Sequence, residues 1–199
     1  MIKYEQWPSV HIRINNRPNE AGEWLTITSR SGRATRMSCL HYACERVPPI
    51  DAIEALVKAS PESLTTLSST GSQLPIHLAC TWGASRDAVC YLLAANTSSA
   101  RVRDEFGNLP IHSACYSGAH SDIIGALLAM YPMGAFVTNF AGRTALDIVR
   151  GLSHDNRKEV EALLMEEMGR LKQDNLPSIP DSSKNGPKIQ ESDDSMVWV

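Results

Sequence analysis

Two apolar patterns run along this chain in a common register. The first is a short string that recurs as Leu40-His41-Tyr42-Ala43-Cys44, Ile76-His77-Leu78-Ala79-Cys80 and Ile111-His112-Ser113-Ala114-Cys115. A fourth string, Leu146-Asp147-Ile148-Val149-Arg150, fits the same frame less well, and the starts lie 36, 35 and 35 residues apart. The second pattern keeps this step: Ile53/Leu56/Val57, Val89/Leu92/Leu93, Ile124/Leu127/Leu128 and Val160/Leu163/Leu164. Apolar residues at i, i+3 and i+4 make one buried stripe on a helix. Each unit therefore predicts two short helices. The first opens at Pro75 or Pro110, suited to the first helical position, and stops at Gly83 or Gly118, where glycine can take the left-handed conformation. The second starts after Ser85 or Ser121 as N-caps, with Asp87 and Asp122 meeting the helix dipole. Pro61 and Pro132 block its continuation, and turns at Gly71, Gly107 and Gly142 lead to the next unit.

Such a unit must stack. Ordering its backbone costs roughly 1–2 kcal/mol per residue, while each of its few aliphatics returns only about 1.5–3 kcal/mol when fully buried. Neighbours must cover both faces, which predicts a solenoid stabilised largely by the interfaces between units.

Leu74-Pro75-Ile76-His77-Leu78-Ala79 and Leu109-Pro110-Ile111-His112-Ser113-Ala114 resemble the Thr-Pro-Leu-His-x-Ala opening of the ankyrin repeat. Asp104-Glu105-Phe106-Gly107 resembles the hairpin that precedes it, and Gly142-Arg143-Thr144-Ala145-Leu146-Asp147 looks like a closing repeat. The resemblance covers about residues 32 to 170 and implies an all-α fold, an ankyrin-type helix-turn-helix solenoid of about four repeats. The first unit departs from it with Met37-Ser38-Cys39 in place of proline and Val47-Pro48-Pro49 in place of the helix-ending glycine. The fourth departs with Asp147 in place of histidine. Terminal repeats are expected to vary because one face meets water. The expected organisation is a partial N-terminal capping repeat with an extended hairpin over 1–31, a repeat domain over 32–172 and a disordered tail over 173–199. Within the repeat domain the units fall at about 32–70, 71–106, 107–141 and 142–172.

Within the first segment, Trp7, Val10 and Ile14 have helical spacing ahead of Pro18, while Val10, Ile12 and Ile14 also suit a strand. Trp24, Leu25 and Ile27 belong to the enlarged hairpin. The tail is polar and aperiodic and ends in Met196-Val197-Trp198-Val199, whose Val197 and Val199 could add as a strand to a PDZ-like sheet edge.

Composition narrows the function classes. A net charge of −3 supplies no basic field for nucleic acid or an acidic membrane. Five cysteines, odd in number and with no CxxC pair, suit a reducing compartment. The first residues carry no continuous apolar run, so no secretory signal is expected. Ile123 to Gly142 is free of charge over a membrane-span length, but Pro132, Thr138 and Asn139 mark it as a buried helix and loop. The expected location is the cytoplasm, with the nucleus left open.

The pairs His41/Cys44, His77/Cys80 and His112/Cys115 share a helix face and raise an alternative function, a metal- or thiol-based site. Each pair supplies two ligands where structural zinc takes four, and neighbouring helices lie roughly 8–10 Å apart, too far to share an ion. The resemblance implies instead that each histidine bonds backbone in the inter-repeat loops, with each cysteine a small apolar filler. A Cys/His nucleophile would also need an orienting group and an oxyanion site. His120 and His154 fall at turns and are expected to be solvated. Arg30, Arg33 and Arg36 cluster in one hairpin, either solvated or facing an anionic patch. No cofactor, no metal and no catalytic residue are expected.

The resemblance implies binding through hairpin tips and the concave face of the first helices, so the expected role is a monomeric, non-catalytic adaptor for a protein partner. Carried onto this chain, the contact residues are Trp82, Tyr116, Phe106, Phe140, Thr81, Ser117, Glu105, Asn108 and Arg143, with Ser69, Thr70, Gln73, Glu45 and Arg46 at matching positions. Aromatic side chains are the usual anchors; packing between hairpins is the alternative for Phe106 and Phe140.

Overall fold

The computed structural model describes residues 16–28 and 34–173. The patterns read at Trp7, Val10 and Ile14, the arginines Arg30 and Arg33, and the tail after Gln173 lie outside the described residues.

Among them, eight α-helices form four pairs: α1 (Cys39–Cys44) with α2 (Ile50–Ala59), α3 (Pro75–Thr81) with α4 (Arg86–Ala95), α5 (Pro110–Ser117) with α6 (Ser121–Met130), and α7 (Ala145–Gly151) with α8 (Arg157–Gln173). The first helices pack side by side in one row and the second helices in another. The three Ala-Cys segments therefore lie in successive layers. Every residue of the two repeating apolar patterns down to Val149 is buried apart from Tyr42, which is partly exposed, and Asp147, which is exposed; in α8, Val160 and Leu164 are buried and Leu163 is half-buried. Proline follows two of the second helices as expected: 3-10 turns at Pro61–Leu64 and Pro132–Ala135 come after α2 and α6, while the turn after α4, Thr97–Arg101, has no proline; a further proline-led turn, Pro18–Gly22, packs on α2.

The fold is not wholly helical. Strands β1 (Trp24–Thr28) and β2 (Ala34–Ser38) pair antiparallel from Trp24↔Ser38 to Thr28↔Ala34, forming the enlarged hairpin ahead of α1. Ser85 caps α4 by accepting the Ala88 N–H. Ser121 does not cap α6. The cap is His120, with its Nδ1 3.4 Å from the Asp122 N–H, and Ser121 is the first helical residue, its hydroxyl donating to the Glu159 carboxylate. An imidazole one position earlier reaches the same free N–H groups that a serine would satisfy.

Two departures from repeat spacing have backbone causes. The 36-residue step arises in the second hairpin, where Gly71 and Ser72 are both left-handed (φ 85° and 47°). Val47 stands seven residues after Leu40, as Gly83 and Gly118 stand after Ile76 and Ile111, and it keeps the glycine conformation at φ 49°. A β-branched residue there costs about 1–2 kcal/mol. Val47→Asn, which tolerates this region, is expected to raise stability by about 1 kcal/mol, measured as an upward shift in the urea midpoint. An unchanged or lower midpoint would show that the valine contacts outweigh the strain.

Candidate functional site

The three buried histidines tie each first helix to the loop that leads into the next unit. Nδ1 of His41, His77 and His112 accepts the N-cap N–H of Ser38, Leu74 and Leu109 at 3.3, 3.2 and 3.0 Å. Nε2–H donates to the Gln73, Val102 and Val137 carbonyls at 2.8, 3.1 and 3.0 Å. With one nitrogen accepting and the other donating, each ring is a neutral Nε2–H tautomer with no lone pair left for a metal. Burial holds His41 and His112 down at about 4, against small upward pulls from these carbonyls, and lowers His77 likewise. Cys44, Cys80 and Cys115 are free thiols. Burial pushes Cys80 and Cys115 up to about 12 and Cys44 higher still, which leaves little thiolate to act as nucleophile or ligand.

Asp147 performs only the local half of this task. Thr144 donates to it from N–H (2.9 Å) and Oγ1 (2.7 Å), and the Asp147 N–H returns to Thr144 Oγ1 at 3.2 Å. One repeat step beyond Val137 stands Lys172, inside α8, so helix replaces the loop that the histidines bond in the earlier units. That helix runs to Gln173, one residue past the expected end of the repeats.

The hairpins form a second continuous array. Ser69 N–H donates to Arg36 O, Glu105 N–H to Gly71 O and Phe140 N–H to Phe106 O, at 2.9, 2.9 and 3.0 Å. Within each turn a side chain gathers the backbone: Asp104 Oδ1 accepts from Phe106 and Asn108 N–H (2.9 and 2.8 Å), and Asn139 Oδ1 from Ala141 and Arg143 N–H (both 3.0 Å). Arg103 donates to Gly107 O at 2.7 Å and Thr138 O at 2.8 Å, bridging two hairpins.

The expected contact residues divide accordingly. Trp82 and Tyr116 are 55% and 39% exposed, and Phe106 and Phe140 are 57% and 63% exposed, far more than the core around them. Phe140 nonetheless lies against the backbone of Gly107, where an added Cβ would come within 2.6 Å of the ring. Thr81, Glu105 and Arg143 are exposed, and the Thr81 hydroxyl donates to His77 O at 2.8 Å. Ser117 is half-buried and donates to Cys80 O at 2.8 Å, across the repeat interface.

Asn108 is not a tip contact. It is 9% exposed, its Nδ2 donates to Asp104 (3.3 Å), and its Oδ1 accepts from Asn139 (2.9 Å). It joins two hairpins in the interior. His154 is not simply solvated either. It is half-buried, its Nε2 lies 3.3 Å from Tyr116 O, and its ring fills the space beside Gly118 where a Cβ would stand 2.7 Å away. Arg36 stacks on Trp24, 5.3 Å from the ring centroid. No spacing signal in the sequence points to this stack or to the Arg103 bridge.

The array of paired helices, buried histidines and linked hairpins has a counterpart among known families. Residues 96–149 match the model described as ankyrin repeats (many copies). This stretch is similar to ankyrin repeats. The flanking helix pairs continue the same stacking, so the whole described solenoid has the ankyrin fold. Comparison with curated proteins finds no match. Ankyrin repeats are typically protein-interaction modules. Among the described residues, no helix is long and apolar enough to cross a membrane and no cluster of metal-binding side chains occurs.

Proposed function

We propose that this protein is a non-catalytic adaptor or scaffold that holds a protein partner between its row of first helices and its row of hairpins. The observation that carries the reading is the exposure of Trp82, at the C-cap of α3, and of Tyr116 on α5, directly beyond the buried His-x-x-Cys frame. The repeats do not need large aromatics there: the matching positions hold Glu45 and Thr81 in register with Tyr116, and Arg46 and Ser117 in register with Trp82. Exposed aromatics have only two side-chain torsions to immobilise and release ordered water when a partner covers them, which makes them efficient anchors. Thr81, Glu105, Phe106, Phe140 and Arg143 supply the polar and apolar rim, with Asn108 withdrawn into the scaffold. Five free cysteines suit work in a reducing compartment.

Trp82→Ala together with Tyr116→Ala is expected to leave the melting temperature and helical circular dichroism within error while lowering partner capture at least tenfold, as hot-spot truncation does at about 2 kcal/mol or more. Tyr116→Phe separates anchor from scaffold, because it removes only the 3.4 Å contact that the hydroxyl accepts from Asn139. Affinity purification from the native source with intact protein and the double variant, compared by quantitative mass spectrometry, makes the test. Identical partner profiles would remove this face from the binding role.

A further inference from the structure

The enlarged hairpin does more than cap the stack. Strand alternation places Ile27, Thr35 and Met37 on one face and the Trp24–Arg36 stack on the other. The first face forms one wall of a pocket of about 230 Å³, closed by Leu78 of α3, by Glu45 at the end of α1 and by Ser68, Thr70 and Gln73 of the next hairpin. The later hairpins are tight turns without strands, so they offer no comparable wall. The volume lies below the roughly 300–1,000 Å³ of pockets that take whole small molecules. It suits one long side chain.

The lining fixes which side chain. Met37 and Leu78 are buried and Ile27 is half-buried, so the interior is apolar. The one ionisable lining group is Glu45. Its Oε2 receives a 3.3 Å contact from Arg46, but that guanidinium is drawn aside onto the Tyr42 ring, 3.6 Å from its centroid, and the Tyr42 carbonyl at 3.3 Å. The hydroxyls beside it are engaged within the chain, Ser68 Oγ also accepting the Gln73 N–H at 3.2 Å. The Ser68 hydroxyl proton is already given to Thr70 O at 2.7 Å, and the Thr35 and Thr70 hydroxyls lie 3.2 Å apart, so one of the two protons is shared between them. An aliphatic stem with a cationic head matches apolar walls that end at a carboxylate.

We propose that this pocket takes a lysine or arginine side chain from an extended segment of the protein partner, its methylenes against Met37 and Leu78 and its head on the Glu45 carboxylate. This rests on the adaptor reading and gives the N-terminal end of the groove a preference for basic segments.

The test uses the full chain with methyl-labelled Ile, Leu and Met, titrated by NMR with n-pentylammonium, n-pentylguanidinium and n-pentanol. Both cations are expected to shift the Ile27, Met37 and Leu78 methyls saturably and about tenfold more tightly than the alcohol, the worth of one charge-assisted hydrogen bond. Glu45→Gln is expected to abolish that preference while leaving the melting temperature and the weak alcohol response in place. The tighter of the two cations separates a lysine-type from an arginine-type guest. Equal binding of the alcohol and the cations, a preference that survives Glu45→Gln, or an absence of shifts at all three methyls would overturn the proposal. Partner capture that ignores Trp82 and Tyr116 would sink the adaptor surface without touching this result, so the two readings fail separately.

Discussion

Gly107→Ala is expected to destabilise the stack by about 2–4 kcal/mol, roughly twice the effect of the matching substitution Gly142→Ala. Both glycines are left-handed, at φ 75° and 71°, and forcing an L side chain into that region costs about 1–2 kcal/mol in either case. Only Gly107 has a neighbour in the way. Its new Cβ would stand 2.6 Å from Phe140 Cδ1 and 2.8 Å from Phe140 N, whereas nothing lies within 4 Å at Gly142. The clash involves backbone, so a side-chain rotation cannot relieve it. Phe140 must retreat, and the hydrogen bond from its N–H to Phe106 O stretches or breaks, adding about 1–2 kcal/mol. Urea denaturation of the two variants beside the parent protein measures the difference directly. Equal losses would mean that the hairpins contribute no coupling between units, leaving cohesion to the helices alone.

That contrast also marks how far the sequence could be read. The two apolar patterns contain the helix pairs, their order and their stacking, because a 35-residue periodicity in buried positions admits few arrangements. The proline stops and glycine turns are equally explicit, since each depends on the local backbone of one residue. The features that eluded the sequence depend on partners in the neighbouring unit. Asn108 reads as a polar tip residue until Asn139, 31 residues on, is seen to donate to it. His154 reads as a solvated turn residue until Gly118, 36 positions earlier, is seen to make room for its ring. Arg103 is one more surface arginine until Thr138 O accepts from it. The candidate surface was legible to the extent that it consists of residues the scaffold does not use: Trp82 and Tyr116 are conspicuous because the frame around them repeats. The pocket was not legible, since Ile27, Glu45 and Leu78 share no spacing and meet only when the long hairpin folds over α1 and α3.

Acidification is expected to weaken the fold steeply between pH 6.5 and 4, and the histidine row is the cause. Folded His41 and His112 titrate near 4, against 6.5 when exposed, and His77 is shifted the same way, burial being the largest cause in all three. Because their pKa values are depressed in the folded state, the unfolded chain binds protons first as pH falls. Their stabilising contribution is therefore complete above pH 6.5 and is lost as pH drops through the folded value. Each histidine contributes a slope of up to about 1.4 kcal/mol per pH unit, so His41 and His112 alone would remove a large part of a typical 5–15 kcal/mol stability by pH 4, and His77 acts in the same direction. The geometry gives the same sign. A proton on Nδ1 would face the N-cap N–H that it now accepts from, leaving two donors in contact. The carboxylates with shifted values, Glu62, Asp147 and Glu167, all lie below their ordinary range; the stability they contribute is lost at more acid pH, so they cannot mimic this window. Urea midpoints at pH 7, 6 and 5 should fall progressively. His77→Gln, which keeps a donor and an acceptor but cannot take up the proton, should start lower at pH 7 and descend less steeply than the parent, one of three linked protons having been removed. A parent profile that stays level over this interval, or a variant that descends just as steeply, would show that the row does not bear the proton-linked stability assigned to it.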